Sequence, residues 1–266
     1  MKQIMEEKIN GLAVYDNGAR GKTPVVFVHG FPFDHTMWEP QIRALGDTHR
    51  VISYDVRGHG KSEAGDGQYT IELFVDDLME ILSHLRLEPV VLCGLSMGGY
   101  IALRAVERHA DRFKGLVLCD TKAEADSNEA KIKRAGTARA IKKDGVEPFA
   151  KEFIKSVLTE KTIQTNPKLV ESVLSIIRGN KALGICGALL ALAARTDTTA
   201  GLAKMNLPTL ILVGREDKLT PPSVSEAMSK SLPHAEMYVI PNAAHLSNLE
   251  NPALFNEKLL GFLKKL

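Results

Sequence analysis

Cysteine is scarce in this 266-residue chain, with three residues at positions 93, 119 and 186. Their number is odd, their spacing is wide and no Cys-x-x-Cys pair occurs, which excludes a disulfide framework and a zinc or redox motif of that type. A reducing, cytoplasmic compartment is the expectation. Charge of one sign is equally scarce: 34 basic and 32 acidic residues leave a formal net charge of +2. No basic stripe marks a nucleic-acid partner. Long apolar runs are missing too. The longest, Ala182 to Ala194, is interrupted by Gly184 and Gly187 and falls short of the roughly 20 residues that cross a bilayer, so no membrane partner is expected. The first ten residues mix Lys2 and Lys8 with Glu6 and Glu7, and predict no signal peptide. There is no internal repeat and no low-complexity tract. What remains, 44% apolar and 25% charged residues, is the balance of an ordinary globular protein with room for one domain and an insertion.

Short β-branched runs alternate with longer amphipathic ones. Pro24–Val28, Arg50–Asp55, Pro89–Gly94, Gly115–Cys119, Pro208–Val213 and Glu236–Ile240 read as strands, several of them continuously apolar and therefore buried on both faces. Thr70–Leu87, Met97–His109 and Ala253–Leu263 read as helices, the first with Thr70 as N-cap. The alternation predicts βαβ units and a parallel sheet. Leu12–Tyr15 is expected to pair antiparallel at the edge with the next strand through Asp16-Asn17-Gly18. Between Lys122 and Ala200 only helices are predicted, over 128–143, 148–158, 167–177 and 183–194. This block carries 14 basic and 9 acidic residues, with Lys131, Lys133, Arg134, Arg139, Lys142 and Lys143 clustered. It divides the chain into a core of 1–121 and 201–266 and a helical cap of 122–200, with 183–194 as the cap face over a pocket.

Gly94-Leu95-Ser96-Met97-Gly98-Gly99 follows a predicted strand and opens a predicted helix. Gly-x-Ser-x-Gly in that setting is a nucleophile elbow: the turn is so sharp that the serine takes strained backbone angles and its hydroxyl stands over the sheet edge. A side chain at 94 or 98 would meet the neighbouring backbone. The Met97 N–H points into the same space from a helix N-terminus, where negative charge is favoured.

A serine hydroxyl needs a base to take its proton. His245 follows the Glu236–Ile240 strand, and Asp217 follows the Pro208–Val213 strand. The order Ser, Asp, His is the one this elbow calls for. Asp120, directly after the Gly115–Cys119 strand, and Glu216 are the alternative acids. A second oxyanion donor is expected from the loop His29-Gly30-Phe31-Pro32, where the Phe31 N–H would join that of Met97; Pro32 has none to offer. Trp38 and His29 are candidates for the substrate pocket, with core packing and loop bracing as their competing roles. Met97 and Phe31 are likewise wall or core. His35 lies at a pocket mouth or in a solvated loop, and His49, His84, His109 and His234 read as surface or packing residues. Asp55-Val56-Arg57-Gly58-His59-Gly60-Lys61-Ser62 lacks the Walker spacing and reads as a tight turn whose polar groups brace neighbouring loops.

These motifs, HGFP at 29–32, DVRGHGKS at 55–62, GLSMGG at 94–99, GREDKLTPP at 214–222 and the His245 loop, together resemble the α/β-hydrolase family. The resemblance covers nearly everything outside the cap. It implies an α/β-hydrolase fold: a mostly parallel eight-stranded sheet with helices on both faces and a helical cap inserted after the sixth strand. It also implies a Ser96–His245–Asp217 triad and a Phe31/Met97 oxyanion hole. Within the family the chain is most similar to small bacterial esterases, 3-oxoadipate enol-lactonases and cofactor-free haloperoxidases. Serine at 96 separates it from dehalogenases and epoxide hydrolases, which carry aspartate there.

The expected chemistry is hydrolysis of a small-molecule ester or lactone through an acyl-enzyme, which calls for no metal and no organic cofactor. Carbon–carbon bond hydrolysis, perhydrolysis, an enol-lactone substrate drawn by the basic cap, and a small-molecule receptor with little turnover stay open, as does a monomer or homodimer.

Overall fold

The computed structural model describes residues 4–19, 23–46, 48–87 and 89–266; Lys2, weighed above, lies outside them. Eight strands occur there: β1 (Met5–Ile9), β2 (Leu12–Asp16), β3 (Val25–Val28), β4 (Val51–Tyr54), β5 (Val90–Leu95), β6 (Phe113–Cys119), β7 (Thr209–Gly214) and β8 (Ala235–Ile240). They make one sheet in the order β1-β2-β4-β3-β5-β6-β7-β8. Strands β3 to β8 are parallel, and β1 and β2 join antiparallel. Every residue of β3, β5 and β7 is buried, which is why these sequences are unbroken apolar runs.

Helices α1 (Glu39–Leu45), α2 (Ile71–His84) and α3 (Met97–Arg108) lie before β6. Five more separate β6 from β7: α4 (Asn128–Asp144), α5 (Val146–Val157), α6 (Glu160–Thr165), α7 (Pro167–Gly179) and α8 (Ala182–Ala194). Helices α9 (Pro222–Ser231), α10 (Ser247–Glu250) and α11 (Pro252–Leu263) complete the chain. Alternate strand residues face opposite ways. Val26 and Val28 join a cluster with Phe74, Leu78 and Ile101 of α2 and α3, while Val25 and Phe27 join Trp38, Leu45 and Phe255 beside α1 and α11. Two apolar layers therefore sandwich the sheet.

Thr70 caps α2 as expected, its hydroxyl accepting the Leu73 N–H at 3.0 Å. The predicted extension to Leu87 overshoots. Arg86 takes φ +49, and the Leu87 N–H returns to the Leu82 carbonyl at 2.9 Å, a left-handed helix stop made without glycine.

The N-terminal pairing also differs from expectation. Strand β2 is not an edge and does not pair with β3; it lies between β1 and β4. The hairpin turn is Asn10-Gly11, both at positive φ (48 and 78), as a two-residue connection demands. The Asp16-Asn17-Gly18 segment instead ties β2 to the start of β4. Asp16 pairs with Arg50 at 2.6 Å, and the Asn17 side-chain oxygen accepts the Val51 N–H at 3.0 Å.

In the insertion, four helices were expected and five occur. The additional one, α6, buries none of its residues, so no apolar period betrays it. Helix α8 lies against the core through its two glycines. A Cβ on Gly184 would sit 1.8 Å from the Gly58 carbonyl oxygen, and one on Gly187 2.4 Å from that of Gly67.

Candidate active site

The carboxyl ends of the parallel strands bring the chemistry-bearing residues together. Ser96 sits between β5 and α3 at φ 52, ψ −111, a conformation that costs a non-glycine residue about 1–3 kcal/mol. Its carbonyl accepts the Gly99 and Tyr100 N–H groups at 2.9 and 3.1 Å and the Thr121 hydroxyl at 2.8 Å. The elbow glycines are sterically required. A Cβ at 94 would lie 2.2 Å from the Gly98 carbonyl oxygen, and one at 98 would lie 2.1 Å from that of Val28.

His245 and Asp217 are both buried, and His245 Nδ1 stands 2.8 Å from Asp217 Oδ2. The same carboxylate accepts the Leu219 and Thr220 N–H groups at 2.8 and 3.0 Å on Oδ1, and the Thr220 hydroxyl at 2.6 Å on Oδ2. An ionised carboxylate only accepts, so Nδ1 carries the imidazole hydrogen and Nε2 is left as the acceptor. Burial opposes charge on both groups, yet their mutual attraction prevails. Asp217 is held below the ordinary carboxylate range by His245 and Thr220. His245 is held above its ordinary value by Asp217.

Neither alternative acid bonds to the imidazole. Glu216 is exposed. Asp120 is fully buried and accepts instead from the Gly214 N–H at 2.7 Å and the Ser247 hydroxyl at 2.5 Å. Burial and the Asp217 charge push it well above the usual carboxylate range.

Ser96 and His245 open into one cavity of about 440 Å³. Phe31, Tyr100, Phe149, Phe153, Leu189 and Leu192 supply its apolar walls. Lys122, Lys133, Arg134, Asp126 and Glu152 supply its charge. Arg134 and the buried Arg195 both pair with Asp126, and Arg195 also lies over the Tyr100 ring at 4.2 Å. Among the described residues Lys122 and Lys133 have no ion-pair partner. Of the six clustered cap cations only Lys133 and Arg134 line the cavity.

The two pocket candidates fall elsewhere. Trp38 is wholly buried between Phe27 and Phe255, with ring centroids 4.8 and 6.3 Å away, so it packs the core. His29 is locked under the loops. Its Nε2 accepts the Val56 N–H at 2.8 Å and its Nδ1 donates to the Gly30 carbonyl at 2.9 Å. That is a neutral tautomer, in keeping with a pKa lowered to about 4 by burial. The Phe31 ring faces the cavity, and the Met97 side chain is core. The Met97 N–H stands at the first position of α3, ahead of the Gly99 and Tyr100 amides that bond to the Ser96 carbonyl.

The Asp55–Ser62 segment braces its neighbours. Asp55 accepts from the His35 N–H and Nδ1 at 2.9 and 2.7 Å and from the Lys61 N–H at 2.9 Å. His35 also stacks on Tyr15, with centroids 3.5 Å apart, and lies off the cavity. The Asp34–His35–Asp55 group has the proximity of a metal site, but these bonds and that of Asp34 to the Thr36 N–H at 2.9 Å account for it as a brace. Sequence reasoning missed Thr220, Tyr100, Phe149 and Phe153. Tyr100 stands one turn beyond Ser96 on α3, and the two phenylalanines are spaced i, i+4 on α5, which are signals that were available.

Comparison with known proteins agrees with this architecture. A family model described as alpha/beta hydrolase fold matches residues 23–252. The chain is 31% identical over 255 residues to 3-oxoadipate enol-lactonase 1 of Acinetobacter baylyi, covering 96% of this chain and 94% of that one. It is 31% identical over 278 residues to the non-heme chloroperoxidase CPO-A1 of Kitasatospora aureofaciens, covering 94% and 95%. Among solved structures it is similar to a thermophilic esterase of Thermogutta terrifontis with malate bound, at 37% identity and a TM-score of 0.92, covering 99% and 98%. Matches that run through the sheet and the insertion alike leave one assignment, and the chain belongs to the α/β-hydrolase fold family.

Proposed function

We propose that this protein is a serine hydrolase of carboxylic esters or lactones, with a core of 1–121 and 201–266 and a cap of 122–200. The observation that carries the reading is the His245–Asp217 pair at 2.8 Å opening on the same cavity as the strained elbow serine. His245 Nε2 takes the Ser96 proton as the hydroxyl attacks the carbonyl carbon. Asp217 keeps the hydrogen on Nδ1 and stabilises the imidazolium. The Met97 and Phe31 amides hold the oxyanion, each contributing on the order of 3–4 kcal/mol to the transition state. His245 then protonates the leaving oxygen, and in the second half it activates water against the acyl-enzyme. The expected compartment is the cytoplasm, in line with three cysteines in 266 residues.

The test is hydrolysis of a p-nitrophenyl ester series by wild type and Ser96→Ala. Loss of at least ~10³-fold in kcat is expected of the variant; a variant at the wild-type rate would sink the reading. The chain-length profile also sizes the pocket.

A narrower reading, that the substrate carries a carboxylate, is favoured by Lys122 and Lys133 in the cavity. The enol-lactonase relative and the malate-bound esterase neighbour support it. Such cations raise the local concentration of an anionic substrate.

A further inference from the structure

The three residues at the end of β6 touch every segment on which Ser96, Asp217 and His245 stand. The Cys119 carbonyl accepts the Ser96 N–H at 2.9 Å. The Thr121 hydroxyl donates to the Ser96 carbonyl at 2.8 Å, over Gly99, where a Cβ would come within 2.4 Å of that hydroxyl. Asp120, between them, serves the other two segments. Its Oδ1 accepts the N–H of Gly214 at 2.7 Å and its Oδ2 accepts the Ser247 hydroxyl at 2.5 Å.

Those partners are placed to matter. Gly214 ends β7 and starts the turn to Asp217, whose N–H donates back to the Gly214 carbonyl at 3.2 Å. Ser247 opens α10, two residues beyond His245. One carboxylate is therefore shared by the loop of the acid and the loop of the base. Asp120 does this at an unfavourable position: it is wholly buried, at φ +45, with its N–H donating to the Leu212 carbonyl at 2.9 Å. A buried carboxylate is costly unless its oxygens are bonded, and a positive φ outside glycine persists only where the surroundings enforce it.

We propose that Asp120 is a positioning residue, a clamp whose two carboxylate oxygens set the spacing between the Asp217 and His245 loops, while its neighbours Cys119 and Thr121 tie the same point to Ser96. The proposal rests on the triad reading above. It assigns Asp120 no contact with substrate and no proton transfer.

The experiment is steady-state hydrolysis of a p-nitrophenyl ester, with melting temperature, for wild type, Ser96→Ala, Asp120→Ala, Asp120→Asn and Ser247→Ala. Cutting both bridges in Asp120→Ala should lower kcat on the order of 10²-fold with KM within about 3-fold, the size of effect that a small misplacement of reacting groups produces. Asp120→Asn keeps an oxygen for Gly214 and offers an amide to Ser247, and should restore most of that loss. A role in stability alone would lower the melting temperature while leaving kcat intact in the cold, and that result overturns the proposal. If Asp120→Ala does not fold, Ser247→Ala decides: a fall in kcat supports the clamp and an unchanged kcat overturns it. A fully active Ser96→Ala would take down the triad reading and the clamp with it. An inactive Ser96→Ala beside Asp120→Ala and Ser247→Ala of wild-type kcat removes the clamp alone.

Discussion

The sheet edge and the helical insertion face each other across one cavity and are built on opposite terms. At the edge, Ser96 and Asp217, members of the proposed triad, stand on short loops fixed by backbone and short side-chain bonds: Ser96 to Cys119 and Thr121, Asp217 to Leu219 and Thr220. The insertion meets the cavity with side chains of α4, α5 and α8, among them Lys133, Arg134, Phe149, Phe153 and Leu189. Its two connections to the core are cross-tied: the Thr198 N–H donates to the Ala123 carbonyl at 3.0 Å, Arg195 to the Glu124 carbonyl at 2.7 Å and the Ala125 N–H to Asp197 at 3.0 Å. Helix α4 itself buries only Ala138 and Ile141. On the proposed reading, the edge sets geometry and the insertion sets the shape and charge of the cavity.

Substitutions should divide the same way, edge changes acting on kcat and insertion changes on KM and substrate choice. Asp217→Asn should lower kcat by about 10³–10⁴-fold, because the amide no longer holds the hydrogen on Nδ1; stopped assays on a neutral ester measure it, and a small effect would break the contrast. The pH dependence of kcat/KM comes next. Protonated His245 cannot take the Ser96 proton, and Asp217 holds its pKa up. Activity should therefore fall about tenfold per pH unit on the acid side, with a midpoint above the ~6.5 of a free imidazole. A profile flat through that range contradicts the assignment. In the insertion, Gly184→Val should push α8 off the Gly58 carbonyl, costing roughly 1–3 kcal/mol of stability in thermal unfolding and altering acyl-chain preference more than kcat on the shortest ester. The smallest effect is that of Lys133→Met. It should raise KM for a dicarboxylate monoester by a few-fold, equivalent to about 1 kcal/mol, and leave the neutral analogue unchanged. Equal effects on both esters would remove the carboxylate reading.

The sheet was legible because its buried strands are runs such as Val25–Val28 and Val90–Leu95, and the elbow because Gly94 and Gly98 answer to steric contacts that few other sequences impose. The helices of the insertion were legible where an apolar stripe marks them, and α6 was not because it has none. The hairpin was misplaced although Asn10-Gly11 is a strong turn signal, since five largely exposed residues in β1 carry no core pattern. Trp38 and His29 take the packing and bracing roles that the sequence set beside the pocket, and the sequence could not choose between them for a different reason. Residue type and loop position do not reveal direction, and both side chains turn away from the cavity toward the layer around Phe27 and Phe255 or toward the Val56 backbone. The cap charge was countable, but which cations face inward depends on helix rotation.

Strand β1, at one of the two borders of the sheet, bears on what that border offers to another chain. Strand β2 is buried at all five positions, and left at the border it would offer its free backbone groups to any passing strand. Strand β1 occupies that border instead, presenting Glu6, Glu7 and Lys8 to water, with Lys61 tied to Glu6 at 2.7 Å and Lys8 to Glu63 at 3.4 Å. Charged, short borders discourage further strand addition. By that rule the hairpin disfavours strand addition at this border, on the side of the sheet farthest from the β7 and β8 loops that carry Asp217 and His245.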